Sequence, residues 1–188
     1  MRRRKNHAVF LDRDGVIIED VHYLRHSDQL KIIPGAASAI KKLRKAGLKI
    51  VVVSNQSAVA RGFITRGALE AVHRRLKSKL RAQGGAWDAI YYCPHHPQAG
   101  RRVKCDCRKP GIGMLRAAAR KFKLDLEQSY LIGDTTTDMR TARNAGCKGV
   151  LVKTGKSGRD GTYKANPDAT CRNLAQAASW VIKKDKMF

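Results

Sequence analysis

The chain is predicted to fold as α/β, with a central, mostly parallel sheet wrapped by helices. Three observations predict this. Short apolar, largely β-branched runs at 8–11, 48–53, 130–133 and 149–152 suit strands buried on both faces. The segments between them place apolar residues at helical spacing and basic residues on the opposite side. Glycine and carboxylates gather at the carboxyl ends of the first and fourth runs, where open parallel sheets place their binding crevice.

The first strand leads into Asp12-Arg13-Asp14-Gly15. Two carboxylates one residue apart at a strand end can share a hard cation, one attacking as a nucleophile while the other handles the proton. Residues 17–33 are irregular and polar, with His22, Tyr23 and His26, and read as a flap over that strand end. Pro34-Gly35 opens a helix through Ala46. Its Ala36, Ile40 and Leu43 face inward, Lys41, Lys42, Arg44 and Lys45 face water, and Gly47 stops it. The strand at 48–53 completes a β-α-β unit and ends in Ser54-Asn55-Gln56-Ser57. Such a loop can offer a hydroxyl and backbone N–H donors to a phosphate oxygen, although the same residues are routine in turns. Thr65 can cap a helix to Gln83 with Leu69, Val72, Leu76 and Leu80 inward; His73 lies beside that stripe and reads as structural. Gly84-Gly85 ends it, and 87–92 is a third strand.

Cys93, His95, Cys105 and Cys107 form two close pairs across a loop, at about 93–107, and fit a closed tetrahedral Zn²⁺ site that holds structure. His96 is the competing imidazole; alternation along the chain favours His95. Arg108-Lys109-Pro110 follows at once. Pro110 keeps Lys109 out of helical geometry, and the loop fixes its approach, so its ammonium can meet phosphate charge beside the paired carboxylates. After the strand at 130–133, Asp134 can complete a Mg²⁺ site with Asp12 and the carbonyl of Asp14. Asp138 opens the next helix, with a dipole role and a catalytic role equally open. The remaining run, 149–152, is a fifth strand, followed by a glycine- and lysine-rich loop at 155–166 and a closing helix at 174–182.

Composition bounds the partners. The 188 residues fit a single domain, 1–188, without repeats. A net charge of +24, from 39 Lys and Arg against 15 Asp and Glu, favours an anionic partner: a phosphate ester, nucleic acid or an acidic surface. The basic runs at 2–5, 41–45, 74–81, 101–104, 116–123 and 183–186 read mostly as solvated faces. No apolar stretch is long enough to span a bilayer and no signal-peptide core follows the basic amino terminus, so a cytosolic setting is expected. In a reducing compartment the clustered cysteines favour metal over disulfide.

These motifs together resemble the haloacid-dehalogenase superfamily of phosphatases, in particular its zinc-loop subgroup acting on heptose bisphosphates. The resemblance rests on Phe10-Leu11-Asp12-Arg13-Asp14-Gly15, Ser54-Asn55-Gln56-Ser57 with Ala60-Arg61-Gly62, Cys93-Pro94-His95-His96-Pro97-Gln98, Cys105-Asp106-Cys107-Arg108-Lys109-Pro110 and Gly133-Asp134. It implies a Rossmann-like three-layer sandwich without a large cap domain, and a cytosolic, Mg²⁺-dependent, monomeric enzyme of nucleotide-activated heptose synthesis. It also implies roles. Asp12 attacks phosphorus, and Asp14 protonates the leaving oxygen and then activates water. Ser54 and Lys109 hold the phosphoryl group, Asp134 completes the magnesium site and Arg108 recognises substrate. Asp20, Val21, His22, Tyr23, Ser54, Asn55, Gln56, Ser57 and Thr135 match substrate-contacting positions. Ser54 stands where threonine is common, Val16 where threonine is usual, and Gly111-Ile112-Gly113-Met114 where His-Pro-Gly-Met is frequent.

Other readings stay open at this point: a histidinol-phosphate phosphatase, which shares the zinc loop; a phosphatase of polynucleotide ends; and a basic, zinc-stabilised nucleic-acid-binding protein without catalysis. Classical zinc-finger spacing is missing, which counts against a finger reading nucleic acid.

Overall fold

The computed structural model describes residues 6–21, 23–24, 26–100, 105–164 and 166–185. His22 and the basic runs at 2–5 and 101–104 lie outside the described residues, as does the end of the run at 183–186. Six strands form one sheet, β1 (Ala8–Leu11), β2 (Lys49–Asn55), β3 (Ala89–Cys93), β4 (Tyr130–Gly133), β5 (Lys148–Val152) and β6 (Ala169–Cys171). The order is β3-β2-β1-β4-β5-β6 and every pairing is parallel.

Alternation along the strands feeds two cores. Val9, Leu11, Ile50, Val52, Ile132 and Val150 pack on one face against α1 (Ala36–Lys45), α2 (Arg66–Ala82) and α5 (Leu174–Asp185). Phe10, Val51, Val53 and Leu131 pack on the other against α3 (Gly113–Phe122) and α4 (Thr136–Ala145). The result is the expected three-layer haloacid-dehalogenase-like sandwich, with no large cap domain among the described residues. The predicted helix faces hold: Ile40 and Leu43 are buried while Lys41, Lys42, Arg44 and Lys45 are exposed, and the Thr65 hydroxyl accepts from the Ala68 N–H.

One local reading changes, and one helix start is set by local turns. The loop after β5 is followed by a sixth strand, β6, whose three residues are too few to show a period. The helix after Pro110 begins at Gly113, because residues 106–113 are tied into turns by Gly111 N–H to Arg108 O and Gly113 N–H to Asp106 O.

This strand order brings β1 and β4 side by side at the point where the chain reverses its direction of winding, which opens a crevice beyond their carboxyl ends. The Asp12 N–H donates to Ile132 O at 3.0 Å, so Asp12 and Asp134 leave neighbouring strands together.

Candidate active site

Four ionisable groups converge in that crevice. Lys109 Nζ lies 3.0 Å from Asp12 Oδ1 and 2.5 Å from Asp138 Oδ1, and donates to Val53 O at 3.2 Å. Carboxylate oxygens of Asp12, Asp134 and Asp138 lie within 4.8 Å of one another. Lys109 is held by Asn55, whose amide brackets its backbone: Nδ2 donates to Lys109 O at 3.1 Å and Oδ1 accepts from Lys109 N–H at 3.0 Å. Asp138 does two things at once. It closes a capping box with Thr135 at the start of α4 and it pairs with Lys109. The two roles left open by the sequence are therefore compatible in space.

Asp134 is fixed from the loop after β5, where Lys156 N–H donates to its Oδ2 at 2.6 Å. Two glycines make room for that carboxylate. Gly15 and Gly155, both at positive φ, approach so closely that a Cβ on either would sit 2.4 or 2.3 Å from Asp134 Oδ2. Gly155→Ala should displace Asp134 and lower turnover about 10²-fold, the scale of a misplacement of about 1 Å. Unchanged steady-state turnover would contradict that packing.

Burial pushes the Asp12 carboxyl up to about 8; Lys109 pulls it down, while Asp138, Asp134 and Asp14 add to the rise. Burial likewise pushes Asp134 up to about 7, against the Lys156 N–H and with the help of Asp138. Burial alone would lower Lys109, but Asp12 and Asp138 carry it above its ordinary value. One ammonium thus faces three buried carboxyls, an excess of negative charge that a hard divalent cation is suited to neutralise.

A cavity of about 310 Å³ opens on this cluster. Around it stand Asp12, Asp14, Ser54, Arg108, Lys109, Asp134 and Thr135, with Asn55, Gln56, Ser57, Asp20, Val21 and Tyr23. Every described residue singled out for catalysis or substrate contact is therefore at one place. Arg13, Lys156 and Asp160 line it too, and the sequence reading passed them over. Asp160 accepts from the Thr136 N–H and hydroxyl at 2.6 and 2.7 Å, tying the loop after β5 to the start of α4.

Beside the cavity, Cys93, His95, Cys105 and Cys107 bring their ligand atoms within 4.8 Å of one another. Cys93 Sγ is 3.8 Å from Cys105 Sγ and 3.6 Å from His95 Nδ1, and Cys107 Sγ is 3.5 Å from that nitrogen. A tetrahedron built on Zn–S bonds of about 2.3 Å has edges of about 3.8 Å, so the donor set fits zinc. His96 is elsewhere, against Arg61 Nη2 at 2.9 Å. All the cysteines are free thiols.

Comparison with known proteins agrees. The model "Haloacid dehalogenase-like hydrolase" matches residues 9–71 and a second HAD-hydrolase-like model matches 106–177. Fold and site together define a phosphoric monoester hydrolase of the haloacid-dehalogenase class. A protein of Thermosynechococcus vestitus named D-glycero-D-manno-heptose-1,7-bisphosphate 7-phosphatase is 43% identical, covering 93% of this chain and 94% of its own. One of Escherichia coli, named as the phosphatase of the β anomer, is 41% identical, covering 93% and 87%. The crystal structure of D,D-heptose 1,7-bisphosphate phosphatase from B. bronchiseptica, complexed with magnesium and phosphate, superposes with a TM-score of 0.85 at 34% identity, covering 95% and 99%. The chain belongs to the family of D-glycero-D-manno-heptose-1,7-bisphosphate 7-phosphatases. No helix among the described residues is long and apolar enough to cross a membrane.

Proposed function

We propose that the chain removes the C7 phosphate of D-glycero-D-manno-heptose 1,7-bisphosphate through an aspartyl phosphate on Asp12. The observation carrying this reading is the convergence of Asp12, Lys109 and Asp134 on one cavity beside Ser54, with Asp138 buried against Lys109. Relatives 41–43% identical and named for that substrate support its identity. A carboxylate oxygen of Asp12 attacks phosphorus, and the ester P–O bond breaks with its electron pair passing to the sugar oxygen, which takes a proton from Asp14. Water then attacks phosphorus and gives its proton to Asp14. The bond to Asp12 breaks, freeing inorganic phosphate and the carboxylate. Ser54 and Lys109 hold the phosphoryl oxygens. Arg108, Thr135, Asp20, Val21 and Tyr23 surround the sugar. The whole chain acts as a single domain, as a cytosolic monomer.

Asp12 and Asp134, with the carbonyl of Asp14, would hold Mg²⁺, and Asp138 reinforces the negative field there. When bound, the ion supplies neutralising charge and a fixed contact for a phosphate oxygen. Groups whose folded values are raised favour the folded state at low pH and oppose it as pH rises through those values. The cation takes the deprotonated carboxylates. Magnesium affinity should therefore climb as pH rises through about 7 and about 8, with proton release on binding. Calorimetry showing affinity independent of pH would contradict this.

Cys93, His95, Cys105 and Cys107 would hold Zn²⁺, and as its ligands they would fix the approach to Arg108 and Lys109. Cys107→Ser should lower zinc content and, by displacing Lys109, reduce turnover even with magnesium saturating. Full zinc with normal turnover would refute it.

Turnover of heptose 1,7-bisphosphate compared with histidinol phosphate and 3′-phosphorylated DNA tests the assignment. Preference for the sugar bisphosphate is expected, and preference for either other substrate overturns it. A non-catalytic nucleic-acid binder would instead keep its function in Asp12→Asn and lose affinity steeply with salt.

A further inference from the structure

Arg13, which follows Asp12 and precedes Asp14 in the chain, is the largest fully buried side chain among the described residues, at 1% exposure. A guanidinium out of water needs partners for its donors, and each of its three nitrogens has one. Nη2 donates to both oxygens of Asp14 at 2.9 Å and to Gln56 Oε1 at 2.9 Å, and Nε donates to Asp14 Oδ1 at 3.2 Å. Nη1 lies 2.9 Å from His73 Nε2. Since the guanidinium only donates, that ring nitrogen accepts and His73 is neutral; burial and the adjacent charge of Arg13 hold it down at about 3. Gln56 passes the constraint on, its Nε2 donating to Asp14 Oδ2 at 2.9 Å and to Ser54 Oγ at 2.7 Å.

We propose that His73, on α2 and away from the cavity, is a positioning residue of the reaction: it fixes the fork of Arg13, which in turn aims the Asp14 carboxyl at the leaving oxygen. This rests on the reading of Asp14 as the group that donates that proton. The His73 ring packs against Tyr92 of β3, with centroids 5.3 Å apart and the planes tilted by 58°, so it is anchored to the sheet. The aim of the acid is thus set by a helix and a strand, and not by the flap.

Leaving-group chemistry separates this role from a merely structural one. A sugar alkoxide departs only when protonated, whereas 4-nitrophenolate departs unaided. In single-turnover release from heptose 1,7-bisphosphate, His73→Phe should be slower than wild type by about 10- to 100-fold, part of what general acid catalysis supplies. Its release of nitrophenolate from 4-nitrophenyl phosphate should change less than about threefold, because that step draws nothing from the acid. His73→Gln, whose amide oxygen can accept from Nη1, should restore sugar release. Arg13→Lys, which keeps the charge but not the fork, should show the same split and carries the test should His73→Phe fail to fold. Equal slowing on both substrates, or no slowing, in His73→Phe and Arg13→Lys overturns the proposal. Asp14→Asn is the reference. If it splits the substrates and the other two variants do not, the positioning role alone fails; if it slows both equally, the reading of Asp14 as proton donor fails, and the proposal with it.

Discussion

Asp12→Asn is expected to lower turnover by about 10⁴-fold or more while leaving the protein folded. The amide has the shape of the carboxyl but no nucleophilic oxygen, so no acyl phosphate forms. Stability should move the other way. Asp12 is buried beside Asp134 and Asp138, and its raised carboxyl favours the folded state at low pH and opposes it as pH rises through about 8. Without divalent cation, the variant should therefore melt above the wild type by a margin that grows from acid to mildly alkaline pH. A thermal melt series at two pH values reads this directly. A variant that melts lower at every pH would show that Asp12 serves the fold through its pairing with Lys109.

Lys109→Met should also lower turnover, but it should move stability the opposite way. It removes the ammonium that faces Asp12 and Asp138 at 3.0 and 2.5 Å and leaves the buried carboxyls without that countercharge. Breaking a buried pair from one side costs about 3–5 kcal/mol, so chemical denaturation should show a loss of that size. Turnover should fall about 10²- to 10³-fold, the scale seen when one preorganised donor to a charged transition state is removed. Added magnesium should recover part of the stability and little of the turnover, because the cation neutralises the carboxyls but does not replace the contact to the phosphoryl group. A variant as stable as the wild type and equally active would place Lys109 outside the reaction.

What was legible in the sequence is local. Asp12, Asp14 and Asp134 stand within three residues of recognisable strands, and the cysteines and His95 announce themselves by spacing. Ser54 to Ser57 follow the same rule at the end of β2. What was not legible depends on distance along the chain. The burial of Arg13 is possible only because Gln56 and His73 meet it from 43 and 60 residues away. An arginine between two acids otherwise reads as surface. Asp138 could be placed at the start of α4 but its pairing with Lys109 spans 29 residues. Lys156 reaches Asp134 through its backbone N–H, which no side-chain pattern records. The three residues of β6 gain their strand character from pairing with β5.

The chain carries +24, and among the described residues four cations, Arg13, Arg108, Lys109 and Lys156, line the site. The outer sides of α1 and α2 hold ten more, of which Arg44 pairs with Asp88, Arg75 with Asp28, and Lys79 Nζ donates to Leu30 O.

The central claim is that phosphorus passes through a bond to Asp12. Quenching the enzyme during turnover of heptose 1,7-bisphosphate, reducing the acyl phosphate with borohydride and sequencing by mass spectrometry tests it. Homoserine in place of aspartate at position 12 is the predicted result. Homoserine at position 14 or 134, or none at any carboxylate while phosphate is released at full rate, would contradict the account.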